Sequence, residues 1–536
     1  MRDAINCPPF SDEQQWKGRC PVSDWGASGD ARLSDREKGK RRMAFARQRQ
    51  RSLGALLLAV GLTLVGLHPT AGASPHAASQ ASPVPSSLHW EPCDDVPDAD
   101  CAWLEVPIDP ARPDGPQLTL RLARLPAIDP SRSQGSLLII PGGPGVGITA
   151  AGGNFGILRP LFHLDELRET YDVVTYDPRG IGESSPIRCA PAALPDVGTA
   201  ALNGVMSAAE YETLVATNAA FAESCFAETG ELMAHLSAND AAADIEQMRR
   251  ALGQDDGLVA YAGSYGSLYA TAYLELYGDH VKALVLDGVV DHSLGLAPYG
   301  VRWVLSTEDA FSRFGEWCAQ DDSCALHGQD VDAVFDAVVA EHPEMRAMVR
   351  ARLSAGRNPD LGWPVIADML AMLARGESLA ASPEPAASPV PPDPGLQSGE
   401  LGLFRGVLCA DYGPQDDFAT LAADNALLAD QAPHFAWLYS LELPGSCAGW
   451  PREATNPPHR LQVSAHPNVL VANPTHDPAT PLVAAVAVWS QIPQARLLIA
   501  DVDGHQALPF SRCAFETQVM FLNDPSSLPT TTFCPN

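Results

Sequence analysis

Lysine all but disappears from this chain early: beyond Lys40, only Lys282 remains in 536 residues. A Ser–Lys dyad would have to use that one side chain, which sits at the start of the apolar run Val281 to Leu286 and reads instead as the edge of a strand. Charged residues are few, 19% of the chain, with a net charge of −30 and no basic block after Arg51. That pattern excludes a nucleic-acid partner, which needs a positive face to meet phosphate. Neither C-x-x-C nor H-E-x-x-H occurs, so no zinc site and no other metal or cofactor is expected. The longest apolar run, Leu53 to Leu67, is fifteen residues, short of the ~20 that cross a bilayer.

That short run has the surroundings of an export signal. Arg47, Arg49 and Arg51 precede it and Ala71-Gly72-Ala73 follows it, the charged, apolar and small-residue parts of a cleaved secretory peptide. Cleavage after Ala73 is expected, with release to the periplasm or the outside. No cysteine follows to carry a lipid, so no stable membrane anchor is expected. Residues 1–42 are polar and stand ahead of the signal, so translation is expected to begin at Met43 and the upstream stretch to be a non-native or unstructured extension. Without residues 1–73, which carry 12 basic and 7 acidic residues, the net charge becomes −35. Ten cysteines remain, and in an oxidising compartment an even set reads as disulfides. Sequential pairing closes the most local loops: Cys93–Cys101, Cys189–Cys225, Cys318–Cys324, Cys409–Cys447 and Cys513–Cys534.

The chemistry gathers at Leu258 to Tyr277. A short apolar run meets the corner Ala262-Gly263-Ser264-Tyr265-Gly266, and a helical period then carries Leu268, Ala272 and Leu276 along one face. A serine on such a strand–turn–helix corner has its hydroxyl lifted clear of the sheet, and the residues two positions either side must be small. Taken alone, the pentapeptide also fits a helix N-terminus with Ser264 as its cap.

Upstream, alternating runs at Ala102 to Val106 and Leu118 to Leu125 lead to the fully apolar Ser136 to Ile140, read as a central strand. It enters Pro141-Gly142-Gly143-Pro144-Gly145-Val146-Gly147 directly. Gly145 to Ala150 also matches G-x-G-x-x-G/A, but further glycines follow at 152, 153 and 156 where a dinucleotide-binding helix should begin. The loop reads better as backbone N–H groups aimed at the charge on a carbonyl oxygen during acyl transfer. A helix near Ile157 to Glu169 and a strand at Tyr171 to Tyr176 then end in Asp177-Pro178-Arg179-Gly180-Ile181-Gly182-Glu183-Ser184.

P-G-G-P-G, D-x-R-G-x-G-x-S and A-G-S-Y-G, each after a strand, resemble the α/β-hydrolase fold. Together they are similar to its proline iminopeptidase and tripeptidyl aminopeptidase branch, family S33 of the serine peptidases. Pro141 stands where proline iminopeptidases carry histidine, as in the secreted tripeptidyl aminopeptidases. The resemblance implies an α/β fold with a mostly parallel central sheet and a helical cap inserted after the sixth strand. It divides the chain into a first core part at 74–291, a cap with a Pro-rich connector at 292–430, and a tripeptidyl aminopeptidase-like C-terminal core part at 431–536. Arg179 reads as a pin between loops through a buried carboxylate, since acyl transfer needs no arginine there.

The strand–helix rhythm returns at Asn468 to Ala472, leading to Asp477, and at Arg496 to Ala500, leading to Gly504-His505. Ser264, Asp477 and His505 then follow the nucleophile, acid, base order of this fold. Asp287 and Asp291 are alternative acids, and His476 and Asp503 sit too close in sequence to the opposite partner to face it. The oxyanion donors are expected from Tyr265 and from Gly142 or Gly143, since Pro141 and Pro144 have no N–H to give. The resemblance implies an aminopeptidase releasing di- or tripeptides from free N-termini. An esterase on the same scaffold, or a binding protein that lost catalysis, are the alternatives. A substrate ammonium calls for a facing carboxylate, for which Asp411 and Glu316 are the candidates.

Overall fold

The computed structural model describes residues 88–148, 155–191, 206–379, 394–415 and 417–536. The expected extension at 1–42, the signal peptide at 43–73, the glycines at 152 and 153 and nearly all of the Pro-rich connector lie outside these residues.

Among the described residues there are ten strands, most of them apolar runs bounded by Gly, Pro or Asp: β1 Glu91–Pro92, β2 Asp100–Pro107, β3 Gln117–Leu125, β4 Ser136–Ile140, β5 Asp172–Tyr176, β6 Leu258–Gly263, β7 Val281–Asp287, β8 Val469–His476, β9 Arg496–Asp503 and β10 Thr531–Cys534. They form one sheet in the order β1-β2-β3-β5-β4-β6-β7-β8-β9-β10. The first pairs, through β3 with β5, are antiparallel, and from β5 onward every pairing is parallel. Parallel strands need covered faces, and alternate residues here enter two different cores. Leu138, Val174, Ala260, Leu284 and Val471 point into one; Leu137, Val173, Tyr261, Val285 and Ala472 point into the other.

The helices are α1 Phe155–Leu161, α2 Leu164–Leu167, α3 Ala208–Thr229, α4 Ala238–Ala251, α5 Gly266–Tyr277, α6 Leu296–Gln320, α7 Val331–Glu341, α8 Met345–Leu353, α9 Trp363–Ala374, α10 Pro394–Tyr412, α11 Phe418–Gln431, α12 Trp437–Glu442, α13 Pro444–Cys447, α14 Leu482–Gln491 and α15 Arg512–Asn523. Helix α4 starts on a reciprocal cap, Ser237 accepting from the Asp240 N–H while the Asp240 carboxylate accepts from Ser237. Helix α5 is buried on all sides from Gly266 to Leu274, so its period marks no single face, and Leu276 is exposed rather than packed.

Between β7 and β8 the chain leaves the sheet and builds a separate core. Phe311 and Phe314 of α6, Phe335 of α7, Trp363 of α9 and Leu428 of α11 pack together there. Counting the two-residue β1, this excursion follows the seventh strand; without it, the sixth. It runs past the expected return at 431, because Phe435, Trp437 and Tyr439 also belong to the cap's core and the sheet resumes only at Val469. Helix α10 does the opposite, placing Leu403, Val407 and Leu408 in the core of the sheet.

All five sequential disulfides are present. Cys409–Cys447 ties α10 to α13, and Cys513–Cys534 ties α15 to the edge strand β10. Arg179 makes a bidentate pair with Asp244 of α4 at 2.6 and 2.7 Å, and donates to the carbonyls of Ile108 and His235 at 2.9 Å. Both charged side chains are 3% exposed, so the arginine is the buried pin that its loop implied.

Candidate active site

Sheet register brings the functional residues to one edge. Ile140 pairs with Ala262, Gly263 with Asp287, Asp287 with Ala472, and His476 with Asp503. The residues that follow these pairs therefore leave the C-terminal ends of neighbouring parallel strands, where open α/β sheets place their ligands.

Ser264 sits at φ +56°, in the left-handed region that a side chain occupies only under strain. Its N–H donates to the Asp287 carbonyl at 3.0 Å, and its own carbonyl accepts from Ser267 at 2.9 Å. The corner is locked from above by the glycine loop. A methyl on Gly266 would lie 2.4 Å from the Ile140 oxygen, and one on Gly142 would lie 2.7 Å from Ser264 Cβ. Ala262, in place of the usual glycine, fits as a fully buried strand residue. The Tyr265 N–H opens α5, in the first turn where helix amides lack intrahelical partners. Beneath the loop, a methyl on Gly147 would meet Asp177 Oδ1 at 2.4 Å, so the D-x-R-G aspartate supports the glycine loop from behind.

His505 Nδ1 lies 2.9 and 3.0 Å from the two oxygens of Asp477. The Asp477 carboxylate is fully buried and also accepts from the N–H groups of Ala479, Thr480 and Gln506 and from the Thr480 hydroxyl. Five donors hold its orientation, and only the histidine among them can carry charge. Burial pushes the His505 imidazole down, but the Asp477 charge and hydrogen bond outweigh it, so its pKa is raised. Thr480 escaped the sequence reading. The signal was there in Asp477-Pro478-Ala479, where the aspartate accepts the N–H two residues on as in an Asx turn and so brings the Thr480 hydroxyl beside it.

The alternative acids have other partners. Asp287 accepts from the amides of Ala507 and Leu508 at 2.7 and 2.9 Å, from Gln518 and from the Tyr261 hydroxyl, and so holds the loop behind His505. Asp291 is taken by Ser293. Asp503 pairs with Arg313 and Arg357, and His476 with Asp309. The expected ammonium partners require correction. Asp411 has no exposed surface: its oxygens accept from the Ala238 N–H, from Asn456 and, at 2.7 Å, from the Tyr265 hydroxyl, and burial pushes its pKa up to about 7. It lies behind the corner, shielded from any substrate. Glu316 is exposed on α6 and lines neither cavity that reaches His505.

Those two cavities differ. One, about 290 Å³, contains Gly142, Gly143, Ser264 and His505 and is otherwise mostly apolar, with Thr175, Tyr261 and Gln506 as its other polar residues. The other, about 690 Å³, lies between cap residues Met348, Ala351 and Arg352 and the loop His505 to Phe510. Among the described residues no group of His, Cys, Asp and Glu is placed to hold a metal.

A mostly parallel sheet, a strained serine after β6 and a carboxylate-held histidine on the same edge define a serine hydrolase of the α/β-hydrolase fold. The family models agree: one described as alpha/beta hydrolase fold matches residues 135–362, and one described as TAP-like protein matches residues 435–534. The serine protease Hip1 of Mycobacterium tuberculosis is 30% identical over 509 residues, 88% of this chain and 94% of that protein. The tripeptidyl aminopeptidase of Streptomyces lividans is 28% identical over 79% of this chain and 81% of its own length. Carboxylesterase B of M. tuberculosis is 29% identical over 90% and 98%. This chain belongs to the α/β-hydrolase family with a TAP-like C-terminal region.

Proposed function

We propose that this protein is an exported serine peptidase, an aminopeptidase that releases di- or tripeptides from free N-termini through an acyl-enzyme. The observation that carries the reading is the Asp477-held imidazole of His505 opening on the same cavity as Ser264. His505 takes the Ser264 proton as the hydroxyl attacks the carbonyl, and Asp477 stabilises the imidazolium that results. The N–H of Tyr265 and that of Gly142 or Gly143 meet the oxyanion. His505 then protonates the leaving amine, and a water repeats the sequence on the acyl-enzyme.

Short peptides suit the cap, whose helix α8 walls the larger cavity and limits what reaches His505. Export to the periplasm or beyond is supported by five disulfides and by the signal pattern at 43–73, and among the described residues no helix is long and apolar enough to cross a membrane.

One observation favours a second reading, an esterase. Among the described residues, no Asp or Glu lines either of these two cavities to meet a substrate ammonium. Matched tripeptide p-nitroanilides with free and acetylated N-termini, alongside p-nitrophenyl esters and with Ser264→Ala as blank, separate the two. A steep loss of kcat/KM on acetylation supports the aminopeptidase. Equal turnover of blocked amides or simple esters replaces it with the esterase.

A further inference from the structure

The 290 Å³ cavity beside Ser264 has a chemical character that the reaction alone does not require. Its walls are Ile139, Ile148, Leu158, Phe162, Leu164 and Val173, closed below by Thr175 and Tyr261. Three neutral polar side chains also line it: the Thr175 hydroxyl donates to the Ile139 carbonyl, the Tyr261 hydroxyl donates to Asp287, and Gln506 contributes an uncharged amide. Among the described residues, no charged side chain apart from His505 lines it. A carboxylate or ammonium placed there would lose its water and gain no counter-charge, whereas a hydrocarbon group loses nothing and leaves water.

Position decides which part of a substrate it takes. The carbonyl carbon must sit at Ser264 with its oxygen toward the Gly142–Gly143 loop, and the leaving group must sit at His505, which protonates it. Both cavities reach His505, but only the smaller contains Ser264, Gly142 and Gly143. The smaller is therefore on the acyl side and the larger on the leaving-group side. Its size is informative too, since a cavity of about 150 Å³ holds a benzene ring and this one has roughly twice that volume. It is large enough for one side chain of leucine or phenylalanine size.

We propose that this cavity is the specificity pocket for the acyl group, and that the enzyme selects substrates carrying one neutral hydrocarbon group next to the attacked carbonyl. The proposal rests on Ser264 as nucleophile. The hydrocarbon can come from an amino-acid side chain or from a fatty acyl chain, and the test has an arm for each.

The amide arm is a series of Ala-Ala-Xaa p-nitroanilides with Xaa glycine, alanine, aminobutyrate, norvaline, leucine, phenylalanine, aspartate and lysine. The ester arm is p-nitrophenyl acetate, butyrate and hexanoate. In at least one arm kcat/KM climbs about tenfold or more for each carbon added from the smallest member, the usual yield of an apolar pocket. The arm in which it climbs identifies the source. In the amide arm, aspartate and lysine fall below alanine. Ile139→Phe, which fills the pocket, abolishes the gain for the large members and spares the small ones. Phe162→Ala, which opens it, moves the optimum to larger groups and keeps the test decisive if the filled variant does not fold. Fluorophosphonate labelling of Ser264 is run in parallel. A labelled enzyme with a flat series, or with a preference for aspartate or lysine, overturns the pocket assignment and leaves the serine reading standing; an enzyme that is not labelled overturns the serine reading itself.

Discussion

Gly142→Ala puts one methyl group between the glycine loop and the corner that carries Ser264. The added carbon would stand 2.7 Å from Ser264 Cβ, 2.8 Å from the Gly263 oxygen and 3.0 Å from the Tyr265 nitrogen. All three neighbours belong to the strained corner, and two are backbone atoms, so no side chain can swing aside. Restoring ordinary contact at about 3.4 Å requires loop and corner to part by about 0.7 Å. That gap opens between the two sets of N–H groups proposed to bind the oxyanion. Removing one such donor costs about 2.7–4 kcal/mol, or 10²–10³ in kcat, and a misplacement near 1 Å costs about 10². We expect kcat on a p-nitroanilide to fall by about 10²-fold with KM changed far less, while circular dichroism reports a folded protein. Gly135→Ala is the matched control. Gly135 has a positive φ, +104°, which Gly142 does not, but nothing lies within 4 Å of the added carbon, so it should lose about 1 kcal/mol of stability and no turnover. Near-wild-type kcat in folded Gly142→Ala would refute the proposed geometry.

Asp477→Asn should lower kcat by about 10⁴-fold; because Asp477 is what raises the His505 pKa, the acid limb of the residual kcat/KM profile should also move to lower pH, and an unmoved limb would count against the pair. Asp411 carries a pKa pushed up to about 7 by burial, so its folded-state preference for the proton stabilises the protein below its unfolded pKa and is lost as pH rises through about 7. Melting curves of wild type and Asp411→Asn should therefore converge or cross in the variant's favour between about pH 4 and 7, a swing of roughly 4 kcal/mol at most, and a pH-independent difference would contradict this. Arg179→Met leaves Asp244 buried without its partner, and chemical denaturation should show a loss of about 3–5 kcal/mol with turnover per folded molecule unchanged.

Much of the frame was legible in the sequence because strands here are short apolar runs that stop at Gly, Pro or Asp. The meeting of His505 with Asp477 could be placed for the same reason, each residue lying just past such a stop. The disulfides were legible because each closes a local loop. Burial of an acid is not written locally. Asp411 looks like a turn residue beside a cysteine, and the groups that bind it come from residues 238, 265 and 456, which only the fold assembles. The end of the cap was missed because Phe435, Trp437 and Tyr439 read equally well as part of either core. Leu276 was misplaced because periodicity cannot assign a face to a helix whose first nine residues are buried all round.

Asp287 is the last residue before the chain departs into the cap, and it touches both sides of what comes back. Its backbone carbonyl receives the N–H of Ser264, while its carboxylate receives the amides of Ala507 and Leu508, just beyond His505. The proposed nucleophile and base are thus surveyed from one benchmark, and the excursion between Gly288 and Asn468 adds contacts of its own, the Ser354 carbonyl receiving the His505 N–H and Asp411 the Tyr265 hydroxyl. A lineage, or an engineer, is free to vary the parts of that roof that make no such contact and so change which molecules enter, while the spacing of the reacting groups stays referenced to Asp287.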